Sequence, residues 1–181
     1  MKITALLLVF LVVFSRAIFG AESLDELRKK AEAGDAWSQL ELGIKYEVGV
    51  FGQIDLVNSA LWYKRAAEQG DFVAQSWLAK RYYDGSGVPR DFAKAAFWFR
   101  KAAEQKSPDD QFMLGKMYAL GQGVPRDQVE AFIWFYVAGR GGYDPKDEDL
   151  KLMVGVASKA RNAETDKLAR VRFEKFGNII K

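Results

Sequence analysis

The 181 residues contain no cysteine and no histidine. Without cysteine there is no disulfide framework, no zinc–thiolate site and no thiol nucleophile. Without histidine the usual general base and metal ligand are missing, and with them any Ser-His-Asp arrangement. No Walker-type phosphate loop and no Ser-x-x-Lys motif occurs either. Carboxylates are plentiful, but they fall at helix caps or on polar helix faces, where solvated charge is the ordinary role. The expectation is a non-enzymatic chain with no cofactor and no metal.

One-sided charge is also missing. The net charge is +3, of which Lys2 and Arg16 supply two, leaving +1 on residues 22–181. Residues 146–181 hold a local +3 and the middle of the chain −2. Nucleic-acid binding needs a clustered basic face, so no nucleic-acid partner is expected. The one long apolar run, Ile3 to Phe14, follows Met1-Lys2 and precedes the small residues of Ser15-Arg16-Ala17-Ile18-Phe19-Gly20-Ala21. It is shorter than the roughly 20 residues of a membrane span. It reads as a secretory signal peptide over residues 1–21, cut between about Ala17 and Ala21. The mature protein would then be periplasmic or secreted, touching the membrane only if the leader stays uncleaved.

What the chain does have is a period. Gln39, Gln75 and Gln111 are 36 residues apart, as are Tyr46, Tyr82 and Tyr118, and Trp62, Trp98 and Trp134. A fixed period of this length marks a solenoid, whose units bury their apolar faces only by stacking. In the second unit Gln75, Leu78, Ala79 and Tyr82 fall at i, i+3, i+4 and i+7, one face of a helix over about Phe72–Asp84. Ala95, Trp98, Phe99 and Ala102 do the same over about Phe92–Gln105. Large residues fill the space between layers while Ala and Gly let helices approach. The recurring Trp and Tyr are therefore expected in the core.

The connections agree. Gly85-Ser86-Gly87-Val88-Pro89-Arg90-Asp91 and Gly121-Gln122-Gly123-Val124-Pro125-Arg126-Asp127 are near copies. Their glycines suit helix ends, and their prolines forbid helix continuation. Asp55, Asp91 and Asp127 stand as N-caps, with Glu130 at capping-box spacing from Asp127. Asp35 and Asp71, and Ser107 before Pro108, cap the first helices. The first unit lacks the proline, so its loop is expected to differ. The spacing Gly-Asp-x-x-x-Gln-x-x-Leu-Gly-x-x-Tyr, then Gly-x-Gly-Val, then Asp-x-x-x-Ala-x-x-Trp resembles the Sel1-like repeat, a relative of the tetratricopeptide repeat. The resemblance covers Gly34 to about Gly142. It implies an all-α fold, an α/α solenoid forming a right-handed superhelix of helix-turn-helix repeats. Three full units would follow an N-terminal half-repeat from Ser23, giving a solenoid over 22–145. Some cysteine-rich relatives are linked to β-lactams, but their cysteines are missing here.

Residues 146–181 lose the repeat signature and read as C-terminal capping helices. Leu150, Met153, Val154 and Ala157 form an apolar stripe on the first. Asn162 caps the second, which carries Leu168, Val171, Arg172 and Phe176. The tail Ile179-Ile180 would dock on this cap or fray.

Function must then lie in surface recognition. Turning 100° per residue, the face opposite the recurring Gln, Leu and Tyr carries Trp37, Glu41, Ile44 and Val48 in the first unit. Val73, Trp77, Lys80 and Asp84 follow in the second, and Asp109, Met113, Lys116 and Leu120 in the third. Seven of these twelve residues are apolar. In helix-pair superhelices the first helices line the concave surface, so the stripe would floor a groove for a protein or peptide partner. Its candidate binding residues are Trp37, Glu41, Ile44, Val73, Trp77, Lys80, Met113 and Lys116. The alternatives are an inhibitor or immunity protein for a periplasmic enzyme, or an envelope glycan-binding or glycan-modifying module using exposed tryptophan. A further alternative leaves Trp37 and Trp77 as extra core.

Overall fold

The computed structural model describes residues 23–176. The expected leader and the Ile179-Ile180 tail lie outside these residues. Among the described residues there are nine helices and no strand. They are α1 (Leu24–Glu32), α2 (Ala36–Glu47), α3 (Leu56–Glu68), α4 (Phe72–Asp84), α5 (Phe92–Glu104), α6 (Pro108–Leu120), α7 (Gln128–Arg140), α8 (Asp147–Ala160) and α9 (Ala163–Phe176). The pairs α2/α3, α4/α5 and α6/α7 are the three repeats, and α1 is the half-unit before them. Each helix from α1 to α7 packs on the next.

Local chemistry sets the helix limits. The carboxylates of Asp35, Asp55, Asp71, Asp91 and Asp127 accept hydrogen bonds from backbone N–H groups two or three residues on, at 2.7–3.0 Å. Ser23 and Ser107 do the same through their hydroxyls, at 3.1 and 3.5 Å. Each satisfies a donor that the first helical turn leaves free. α4 and α6 end on Gly85 and Gly121 in the left-handed conformation. Within the loops, a Cβ on Gly87 would lie 2.0 Å from the Leu56 carbonyl oxygen, and one on Gly123 2.0 Å from that of Phe92. Each loop thus rests backbone to backbone on the start of the preceding unit's second helix. The first unit has Phe51 at this register, its ring centroid 4.5 Å from that of Tyr46 with the planes tilted at 41°.

The core repeats with the period. Leu42, Leu78 and Leu114 are at most 1% exposed. Truncating one of them to alanine would cost about 2–5 kcal/mol. Gly43 and Gly115 let the rings of Tyr63 and Phe135 approach to where a Cβ would be only 2.7 Å away. The recurring glutamines form a ladder. Gln39, Gln75 and Gln111 donate through Nε2 to the carbonyls of Ala31, Ala67 and Ala103, at 2.9–3.2 Å. Gln69 and Gln105 then donate to the Oε1 atoms of Gln39 and Gln75, at 2.8 and 2.9 Å. At the third unit that donor's position is Gly141, and the buried Gln111 Oε1 has no hydrogen-bond partner among the described residues.

Several expectations are corrected. Trp62 and Trp134 are buried, and Trp98, Tyr46, Tyr82 and Tyr118 pack against the core as expected but stay half-buried. Glu130 does not close a capping box. It pairs instead with Arg172 of α9 through contacts of 2.5 and 3.1 Å. Of the stripe expected on α8, Met153 and Ala157 pack half-buried against the core, whereas Leu150 and Val154 are 48% and 61% exposed, and Val156 and Ala160 are the buried residues. α9 likewise buries Thr165 and Ala169 while Leu168 and Val171 stay exposed. Both helices pack on α7 rather than forming another repeat pair. On α8 the contact is made by Val156 and Ala160 with Leu152, Met153 and Ala157 beside them.

Candidate binding site

The expected stripe divides into two groups. Trp77, Lys80 and Met113 line one cleft between α4 and α6, with a volume of about 500 Å³. The remaining walls are Ser76, Tyr83 and Asp84 of α4, Phe99 of α5, and Asp109 and Asp110 of α6. Trp37, Glu41, Ile44, Val73 and Lys116 do not line it. Trp37 and Ile44 are exposed on α2, Trp37 to 68%. Glu41 pairs with Lys45 at 3.2 Å. Val73 is half-buried and packs with Leu40, Tyr63 and Leu78, and Lys116 is half-buried on α6. Trp77 and Met113 also touch the core, so groove and core meet in the same side chains.

Trp77 is mounted rigidly. Its ring stacks on Tyr63 with centroids 6.1 Å apart and planes at 15°. The Tyr63 hydroxyl donates to Glu47 Oε2 at 2.5 Å, and Arg81 meets Glu47 Oε1 at 2.5 Å. Burial, then the Glu47 carboxylate, push the Tyr63 phenol far up, so it keeps its proton and remains a donor. One unit further along, the same three positions hold Tyr83, Phe99 and Met117, with no charged group among them. On its outer face Trp77 carries the Lys80 ammonium, 5.4 Å from the ring centroid.

Asp110 is the unusual member. It is 3% exposed, and its carboxylate accepts a hydrogen bond from the Ser76 hydroxyl of the neighbouring unit. Burial pushes its carboxyl up from the ordinary range, against the hydrogen bonds from Ser107 and Ser76. Sequence patterning overlooks Ser76, Tyr83, Phe99 and Asp110 as cleft residues. The available signal was the break in period, since Asp110 stands where other units carry Ser38 and Ala74.

A second cleft, about 480 Å³, lies between α5, α7 and α9. Within it Arg172 pairs with Glu130 and lies 5.2 Å over the Trp134 ring. Among the described residues no three His, Cys, Asp or Glu side chains gather as a metal site. No described helix is long and apolar enough to cross a membrane.

Stacked helix pairs with an open cleft at one junction define the class: an all-α solenoid of helix-turn-helix repeats. The chain belongs to the Sel1 repeat family, whose model matches residues 38–71, 73–107 and 108–143. Proteins of this family typically mediate protein–protein interactions, on a solenoid that is typically a non-catalytic scaffold. The chain is similar to the crystal structure of a protective antigen present in uropathogenic Escherichia coli strains, which displays an SLR fold. That match has a TM-score of 0.68 and 32% identity over 84% of this chain and 33% of the other. The present chain therefore spans about a third of that antigen. It is also similar to a Sel1 repeat protein from Oxalobacter formigenes, with a TM-score of 0.62 and 32% identity over 73% of this chain and 97% of the other. No curated protein matches.

Proposed function

We propose that the chain is an exported, non-enzymatic adaptor of the cell envelope, periplasmic or secreted, which holds a protein or peptide on the concave face formed by its first helices. The observation that carries this reading is the α4–α6 cleft. Trp77 and Lys80 reach it from the second unit and Met113 from the third, and the register of Trp77 changes type along the chain, from Glu41 to Trp77 to Met113. Exposed Trp37, at the register of Val73 and Asp109, extends the same helix face onto α2. Aromatic and methionine side chains with a few charges are the usual composition of an interface centre. Export rests on the leader-like residues 1–21.

The test places a photo-reactive amino acid at Trp37, Lys80 or Lys116 of the full chain, expressed in its own host. The control position is Lys64, an exposed residue of the second helix α3. One protein crosslinked from the three first-helix sites and not from Lys64 is the expected result. Equal capture from Lys64, or crosslinking to peptidoglycan alone, would overturn the assignment. Cell fractionation with N-terminal sequencing checks the export.

A further inference from the structure

We infer that the cleft between α4 and α6 receives one basic side chain, arginine or lysine, of the partner protein, an inference resting on the binding face proposed above. The cleft exists because of one substitution in the period. At the junction between the first and second units, Trp77 fills the equivalent space by stacking on Tyr63. At the next junction the same position is Met113, and about 500 Å³ stays open. That volume lies within the roughly 300–1,000 Å³ of side-chain and small-ligand pockets.

The carboxylates around this space do not recur with the period, although Asp109 and Asp110 also occupy the first turn of α6, where acidic side chains are favoured. Asp84 stands where the other units carry Val48 and Leu120, and Asp109 where they carry Trp37 and Val73. Asp110 and its partner Ser76 replace Ala74 or Ser38 and Leu40 or Phe112. A polar pair thus stands at the two positions that Leu40 and Ala74 hold at the preceding junction, and burying Asp110 disfavours its charged form. With Lys80 the only cation in the lining, the cleft is acidic overall.

The walls complete the chemistry. Trp77, Tyr83, Phe99 and Met113 offer apolar and aromatic surface to an aliphatic stem. Asp84 and Asp109 are exposed, while Asp110 is buried. A cation already rests on the Trp77 ring, the ammonium of exposed Lys80, so the ring face is set to receive one. A partner guanidinium or ammonium would take that place and release Lys80 to solvent. A metal ion fits less well, because the described carboxylates do not converge as ligands.

The test uses the full chain and nuclear magnetic resonance of its tryptophan indoles, with Trp77→Phe assigning the Trp77 signal. The probes are Nα-acetyl-arginine methylamide and its uncharged isostere, Nα-acetyl-citrulline methylamide. The arginine probe is expected to move the Trp77 signal saturably, with Kd of about millimolar order for so small a ligand. The citrulline probe should bind at least about tenfold more weakly. Asp84→Asn with Asp109→Asn, both at exposed positions that keep the fold by circular dichroism, should weaken arginine by about tenfold or more. Lys80→Ala should strengthen it. Equal binding of the two probes, no saturable shift up to about 50 mM, or unchanged binding in the double variant would each overturn the inference. If photo-crosslinks at Lys80 persist while arginine fails, the basic-residue receptor falls and the adaptor reading stands. If arginine binds while crosslinking fails, the adaptor reading falls alone.

Discussion

Replacing Gly141 by glutamine should stabilise the protein, because it supplies the rung missing from the glutamine ladder. Gly141 has φ −80° and ψ −5°, close to the −84° and −1° of Gln69 at the same register. A side chain is therefore compatible with the backbone there. A new Cβ would sit 3.1 Å from the Val137 carbonyl oxygen and 3.4 Å from Gln111 Oε1, so small local adjustment is needed. A completed hydrogen bond contributes about 0.5–1.5 kcal/mol net, and removing a glycine from the unfolded chain about 0.4–1 kcal/mol. The sum, about 1–2.5 kcal/mol, raises Tm by roughly 2–4 °C per kcal/mol for a chain of this size. Thermal and urea unfolding, followed by circular dichroism, measure it against Gly141→Ala, which captures the backbone contribution alone. Gly141→Gln should exceed Gly141→Ala by about 1 kcal/mol, and the excess should vanish in a Gln111→Met background. An excess that is absent, or that survives without Gln111, refutes the ladder.

Three other outcomes follow from the same contacts. Gly87→Ala forces a Cβ against the Leu56 carbonyl at positive φ, and urea unfolding should show a loss of about 3 kcal/mol or more. Glu47→Ala leaves Arg81 buried without its partner and should cost about 3–5 kcal/mol. The triple change Glu47→Tyr, Tyr63→Phe and Arg81→Met, which copies the Tyr83–Phe99–Met117 junction, should unfold at higher urea concentration than that single variant. For Asp110 the folded-state pKa is raised, so the folded protein holds this proton more tightly than the unfolded one. Stability should accordingly fall as pH rises from the ordinary aspartate range through the raised value. Asp110→Asn should flatten that slope in melts collected from pH 4 to 7, a range set about the usual carboxylate value.

Helix limits and caps are legible in the sequence because they depend on neighbours three or four residues away. The Asp71 and Asp91 caps, the Pro108 start and the Gly85 stop each need only local chemistry. The cleft is not legible in this way. It depends on Met113 standing where Trp77 stands one unit earlier, and on a hydrogen bond between Ser76 and Asp110, 34 residues apart. Turning residues by 100° finds a face but not what covers it. Val73 and Trp77 fall on the outward face of α4, yet Tyr63 of α3 packs beside them. The C-terminal stripe fails for a related reason. Without the period, Leu150 and Val154 read as part of a core face, whereas Leu152, Met153, Val156 and Ala160 are the residues that pack inward.

The loop glycines give the solenoid a spacing gauge. At Gly87 and Gly123 the distance between units is set by main chain against main chain, with no side chain between. Core packing can drift by a methyl group and a surface register can change outright, as from Trp37 to Val73 to Asp109, without altering the step from one unit to the next. The binding positions are thus held on a ruler whose divisions do not depend on what is written at them.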